Sequence, residues 1–238
     1  AYPGDFDITG FRRPASYYRE AVFGLCKKPY IAVQNPTHYG EFLIKTPWVI
    51  SDATASWNWD GMEGKPAIVE VYAQGDEVEL LLNGKSLGKK AAGKEAGFRT
   101  LFETTYEPGI LTAISYENEQ EIGRSELATA GCERTLWVEK EEYVGLKNAK
   151  QELVYVQVEM RDQNGVLVAD DNQKITLSVD GEVEVLGFGS GNPKPNYNFN
   201  EGVTELFGGR AQIIVKKPEG KAILTVTAEN GIEGKVEL

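Results

Sequence analysis

Histidine, cysteine and long apolar runs are what this sequence has least of. Its 238 residues include one histidine, His38, and two cysteines, Cys26 and Cys132. A Ser-His-Asp triad would have to recruit that one imidazole, and no Gly-x-Ser-x-Gly nucleophile elbow occurs. Gly189-Ser190-Gly191 comes nearest, with the wrong spacing. Two cysteines so far apart provide neither a dense disulfide framework nor the closely paired ligands of a metal site. Two separate thiols are expected, with one long-range bridge left open. Aliphatic runs such as Leu80-Leu81-Leu82 fall far short of the roughly 18 residues a membrane span needs. Basic charge is short as well: 25 Lys and Arg against 36 Asp and Glu leave a net charge of −11. That balance repels nucleic acid and anionic membrane surfaces, so neither is expected as a partner. The chain opens without an initiator methionine or a signal-peptide pattern, and Ala1-Tyr2-Pro3-Gly4 reads like the middle of something longer.

What is present is globular composition, 41% hydrophobic and 26% charged, in which two periodicities alternate. A helix is expected within residues 1–24. Pro14 suits a first turn, Tyr17, Tyr18, Ala21 and Val22 share a face, and Gly24 offers a stop. Residues 25–60 read as irregular and aromatic. From Pro66 the period becomes two, with strands expected over Pro66–Ala73, Glu77–Asn83, Phe98–Thr104, Ile110–Tyr116 and Glu121–Ala128. Asn83-Gly84 and Glu107-Pro108-Gly109 are their turns. A second set begins near Glu133. Val154, Val156, Val158 and Met160 line one strand, and Asn164-Gly165, Asp180-Gly181 and Asn230-Gly231 punctuate the rest. Six or seven short strands at that spacing predict an immunoglobulin-like sandwich. The fold class expected is therefore all-β, two consecutive β-sandwich domains behind a short helical segment. The expected divisions are 1–60, 61–131 and 132–238.

Chemistry is harder to find. Gly187-Phe188-Gly189-Ser190-Gly191 starts like a phosphate loop, but no helix is signalled after it. Acidic side chains such as Glu70, Glu77, Glu79 and Glu159 fall on the side of their strands expected to face solvent. A glycosidase needs one carboxyl held neutral by burial opposite a second, and no buried scaffold for such a pair is visible. Asp170-Asp171-Asn172 could form a calcium site or a solvated turn. No metal and no cofactor are expected. Two aromatic features remain. Trp57-Asn58-Trp59, with Trp48 and Tyr39, could plug a domain junction or stack on sugar rings. The polar loop Asn192–Asn200, with Tyr197 and Phe199, could reach a neighbouring domain or a sugar. Trp57, Trp59, Tyr197 and Phe199 are the candidate substrate-binding residues.

Three stretches carry a resemblance. Residues 4–23, Gly-Asp-Phe-Asp-Ile-Thr-Gly-Phe-Arg-Arg-Pro-Ala-Ser-Tyr-Tyr-Arg-Glu-Ala-Val-Phe, resemble the segment that closes the catalytic barrel of bacterial glycoside hydrolase family 2 enzymes. Residues 57–131 resemble the β-domain that follows in the β-galactosidase branch. The motifs are Trp57-Asn58-Trp59, Gly64-Lys65-Pro66, Asp76–Leu80 running into Asn83-Gly84-Lys85-Ser86-Leu87-Gly88, and Tyr106-Glu107-Pro108-Gly109. The last unit is similar to the family's C-terminal immunoglobulin-like domain through Asp162-Gln163-Asn164-Gly165 and Gly187–Pro193.

The resemblance implies the C-terminal third of a retaining, β-galactosidase-type enzyme, with its catalytic glutamates upstream. Neither Asn118-Glu119 nor Asn200-Glu201 matches the setting of the family's acid/base glutamate, so no catalytic residue is assigned and the fragment by itself is expected to be inactive. Its partners would be the upstream barrel of the same polypeptide and, through the parent enzyme, a carbohydrate. Phe6, Phe11, Tyr17 and Tyr18 would dock on that barrel. Without it the helix face of Tyr17, Tyr18, Ala21 and Val22 is expected to lack a partner and to be locally disordered. The rival reading is a stand-alone carbohydrate-binding or adhesive β-sandwich protein. The source would be bacterial and the protein soluble, with the compartment and oligomeric state left open.

Overall fold

A computed structural model describes residues 4–42, 51–141 and 152–238. The chain divides into two units, Ala1–Thr129 and Ala130–Leu238. Both are built from antiparallel strands, and the described residues contain one α-helix. The all-β expectation and its sandwich architecture hold.

In the first unit, helix α1 spans Pro14–Phe23. Pro14 pre-sets the first turn, and Gly24 ends the helix at φ 68°, a left-handed conformation that a side chain would strain. The N–H groups of Gly24 and Leu25 close the last turn by donating to the carbonyls of Ala21 and Glu20. Ten residues are too few to stay helical in water without packing. The packing comes from β1 (Tyr30–Val33), a strand inside the stretch expected to be irregular. At four residues among prolines, it is too short to show a period. Tyr17 stacks on Tyr30 with ring centroids 3.9 Å apart, and Tyr18 meets Tyr72 edge-on at 5.5 Å. Ala21 is buried beside them. The expectation of an unpartnered helix face is thus corrected for Tyr17, Tyr18 and Ala21, which the unit's own Tyr30 and Tyr72 cover, while Val22 remains exposed.

Strand β1 pairs with β2 (Pro66–Tyr72), and β2 pairs with a later strand, β5 (Arg99–Thr105). Facing this sheet is a second of four strands. They are β3 (Glu77–Leu82), β4 (Lys85–Ala91), β6 (Ile110–Glu117) and β7 (Gln120–Ala128), in the order β4-β3-β6-β7. Asn83 and Gly84 turn β3 into β4 with φ of 51° and 78°, as a two-residue hairpin requires. The inward positions of both sheets form one core with Val69, Val71, Val78, Leu80, Phe102, Leu111, Trp57 and Tyr106. The segment leading to β1 is strapped to the second sheet. Ser115 Oγ donates to the Lys27 carbonyl at 3.1 Å, and Ser125 Oγ donates to that of Pro29 at 2.6 Å.

The second unit contains β8 (Arg134–Lys140), β9 (Leu153–Asp162), β10 (Lys174–Asp180) and β11 (Val185–Gly189). It continues through β12 (Val203–Glu205), β13 (Arg210–Lys216), β14 (Ile223–Ala228) and β15 (Glu233–Glu237). Its sheets have the orders β11-β13-β9-β8 and β12-β10-β14-β15. Val156, Val158 and Met160 alternate into the core as expected, against Ile175, Phe188, Ile213, Leu224 and Val226. Asp162 ends β9 and shapes the next turn. Its Oδ1 accepts from the N–H groups of Asn164 and Val166 at 2.8 Å each, and its Oδ2 accepts from that of Gly131 at 2.7 Å. Burial alone would raise the carboxyl's pKa, but these three N–H donors outweigh it and hold the pKa below the ordinary range.

Candidate functional site

Among the described residues of the first unit, most of the large apolar side chains left exposed lie within residues 6–42. A tight loop precedes the helix, in which Asp7 Oδ1 accepts from the N–H groups of Thr9 and Phe11 at 2.9 and 3.1 Å. Two ion pairs brace it, Arg19–Asp5 at 2.7 Å and Arg12–Glu20 at 2.9 Å, and the Arg12 guanidinium lies 3.9 Å above the Tyr17 ring. Of the four residues expected to dock on a neighbour, Phe11 is buried within its own unit and Tyr17 and Tyr18 are half-buried against β1 and β2. Phe6 points outward, 55% exposed. Beside it in sequence are exposed side chains that the sequence reading missed: Ile8, Phe23, Leu25 and Phe42, the last at 91%. Phe23 and Leu25 flank the Gly24 stop, where helical periodicity ends, so no pattern flagged them.

Behind the helix lies a buried carboxylate. Glu70 is on the side of β2 expected to face solvent, yet none of it is exposed, because α1, β1 and Arg99 cover that side. Five donors converge on it. Oε1 accepts from Arg99 Nη2 at 2.5 Å, Ser51 Oγ at 2.5 Å and Gln34 Nε2 at 2.6 Å. Oε2 accepts from Arg99 Nε and Tyr72 Oη, each at 2.8 Å. Burial favours the neutral acid, but Arg99, then Ser51 and Gln34, outweigh it and keep Glu70 below the ordinary carboxylate range. Burial and the Glu70 charge push the Tyr72 hydroxyl far above its ordinary value. A carboxylate so saturated with donors is a poor proton acceptor, and its protonation would break the cluster. It anchors β1, β2 and β5 and is unsuited to acid–base chemistry. Glu159 departs from expectation in the same way, enclosed between Arg161 at 2.5 Å and Arg210 at 2.9 Å.

Near this anchor, His38 Nδ1 and Asp52 Oδ2 are 3.0 Å apart at a cavity of about 120 Å³, lined also by Asn35, Tyr39 and Phe42. The aromatic candidates lie elsewhere. Trp57 has no exposed surface, meets Tyr106 edge-on at 4.9 Å and donates from Nε1 to the Glu107 carbonyl at 3.0 Å. Its ring faces are core surface and are closed to a sugar. Trp59 is half-buried against the same core and donates from Nε1 to the Ser56 carbonyl at 3.2 Å. Trp48 lies outside the described residues. Tyr197 and Phe199 sit in the loop after β11, Tyr197 half-buried and Phe199 44% exposed. Asp171 Oδ1 accepts from Gln173 N at 3.0 Å within a turn. Among the described residues no three His, Cys, Asp or Glu side chains are placed to hold a metal ion. No helix among them is long and apolar enough to cross a membrane.

Comparison with known proteins gives this geometry a context. Residues 140–237 match the family model described as glycoside hydrolase family 2 C-terminal domain 5, and residues 64–123 match a domain of unknown function, DUF4982. The β-galactosidase BoGH2A of Bacteroides ovatus is 30% identical over 180 residues, 73% of this chain and 20% of that protein. A Formosa agariphila protein that bears a β-glucuronidase name is 27% identical over 230 residues, 94% of this chain and 20% of its own. A solved structure of a family 2 member from Bacteroides cellulosilyticus DSM 14838 superposes with a TM-score of 0.85 at 28% identity. It covers 99% of this chain and 32% of that one. The chain spans about a fifth of the length of the curated relatives it matches.

Proposed function

Because this chain carries a glycoside hydrolase family 2 C-terminal region, we propose that it is a non-catalytic accessory part of a retaining glycosidase, bracing a catalytic barrel upstream in the same polypeptide. The observation that carries this reading is the set of apolar side chains left outside on residues 6–42, chiefly Phe6, Ile8, Phe23, Leu25 and Phe42. Exposed groups of that size, concentrated at one end of a sequence, suit burial against another body more than they suit water. Relatives roughly four to five times as long leave ample chain to supply that body. In this reading the helix is held by its own unit, and the barrel meets the residues on its far side. The parent would hydrolyse a β-linked glycoside by double displacement from two carboxylates upstream of residue 1. The relatives' names leave a galactoside and a glucuronide as the two substrate classes to test.

The experiment compares the 238-residue chain with the same polypeptide extended upstream through its barrel, on chromogenic β-galactoside and β-glucuronide. Turnover is expected in the extended protein alone. In that protein Phe23→Asp with Leu25→Asp should shorten the half-life of activity on heating several-fold. Turnover by the 238 residues themselves would overturn the reading, as would an extended protein indifferent to both charges.

A further inference from the structure

The geometry points to a neutral-oligosaccharide binding face on the outer surface of sheet β11-β13-β9-β8, in Ala130–Leu238. Residues paired across antiparallel strands project to the same side, and the register places two rows on that outer surface. One row runs Gly189, Gln212, Gln157, Glu139, and the next runs Arg210, Glu159, Trp137. The intervening Phe188, Ile213 and Val156 point into the core.

An aromatic ring stands at each side of this surface. At the β11 side, the Cδ1–Cε1 edge of the Phe199 ring occupies the space that a side chain at Gly189 would take. A Cβ there would fall 2.3 Å from Phe199 Cδ1 and 2.5 Å from Cε1, so only glycine leaves room for the ring. The Phe188 N–H donates to the Phe199 carbonyl at 2.7 Å and holds the loop in place. At the β8 side, Trp137 is 43% exposed, with the Arg161 guanidinium stacked on one face of its indole, 3.4 Å from the ring centroid. Three interstrand steps separate the two, roughly 14 Å. That span suits a short oligosaccharide better than a single sugar.

Between the rings the polar groups are already oriented. Glu141 Oε1 accepts from both amides, Gln157 Nε2 at 2.8 Å and Gln212 Nε2 at 3.2 Å. Gln157, half-buried, keeps a second N–H and a carbonyl oxygen, the donor–acceptor pair that vicinal hydroxyls match, while Gln212 is buried beside it and shares its carboxylate partner. Flat apolar rings beside a few fixed amides are what a sugar's C–H face and its hydroxyls require. Two guanidiniums, Arg161 and Arg210, face the carboxylate of Glu159, and the carboxylates of Glu139 and Glu141 lie in the adjoining row, so the surface offers no excess positive charge to an anion. Holding the amides in advance spares part of the ordering cost of binding. This site lies wholly in the second unit and stands or falls independently of how the first unit docks.

The test is affinity electrophoresis of the 238-residue chain through gels containing galactan, xyloglucan or mixed-linkage β-glucan. Retardation by at least one polymer is expected, with about tenfold weaker binding in Phe199→Ala and in Trp137→Ala and retained binding in Phe199→Tyr. Both alanine variants remove exposed rings, and thermal unfolding checks that they stay folded. As a measurement free of substitutions at Phe199, the bound polymer should perturb the chain's tryptophan fluorescence, and that change should be lost in Trp137→Phe. No retardation by any of the three, or retardation unaltered in both alanine variants, would overturn the assignment.

Discussion

Replacing Arg99 by methionine should cost the first unit far more than the loss of a surface ion pair. Arg99 supplies two of the five hydrogen bonds to Glu70, a carboxylate with no exposed surface. Removing one partner of a buried pair strands the other charge, at about 3–5 kcal/mol. Tyr72, Gln34 and Ser51 still donate, which places the expected loss near the lower bound, about 3 kcal/mol, or roughly 10 °C in Tm. The pH dependence tests the cause. In the native chain Glu70 is held below its unfolded pKa, so its contribution is full above that value, about 4.3, and is lost as pH falls through the folded one. In Arg99→Met burial dominates and lifts the folded pKa above the unfolded one, so the variant becomes less stable as pH rises between them. Its deficit against the native chain should therefore shrink from pH 7 to pH 5. Adding Glu70→Leu should recover much of the loss, since no buried charge remains. Urea unfolding followed by hydrogen-exchange mass spectrometry would place the effect in Ala1–Thr129. A loss under about 1 kcal/mol, or one that does not change with pH, would refute the reasoning.

Trp57→Ala should destabilise the first unit by about 3–5 kcal/mol through cavity formation, read as a lowered urea midpoint, with the second unit's transition unmoved. Tyr17→Ala removes the ring stacked on Tyr30, worth about 0.5–1.5 kcal/mol beyond its area, and should make residues 14–23 the first site cut in limited proteolysis. Gly189→Ala should expel Phe199 from its seat at a cost of about 1–3 kcal/mol to the second unit, and a thermal midpoint unchanged from the native chain would show the ring is not held there. Asp162→Ala leaves three backbone N–H groups without their carboxylate and should speed amide exchange at Gly131, Asn164 and Val166.

The family, the all-β class and most strands were legible along the chain, because each rests on local signals. Val78, Leu80 and Leu82 alternate at a period only a strand uses, and Asn83-Gly84 accepts the positive φ of a tight hairpin. The residues from Asp76 to Gly88 that carry both signals also carry the family resemblance. What the strand pattern left undecided is which outward faces meet water. By alternation alone Glu70 and Glu159 look alike and look solvated. Arg99 lies 29 residues from Glu70, and Arg210 lies 51 from Glu159, so only folding reveals that each carboxylate is enclosed. Trp57 reads as a junction plug or a sugar platform until Tyr106 and the Glu107 carbonyl, about 50 residues on, are found around it. Phe199 is the reverse case: the sequence marks it as a candidate sugar contact in a polar loop, and only the fold shows that the space beside Gly189 seats its ring. Periodicity assigns each side chain to a face within its own strand; whether that face is covered depends on contacts distant in sequence, and those exist only in the tertiary structure.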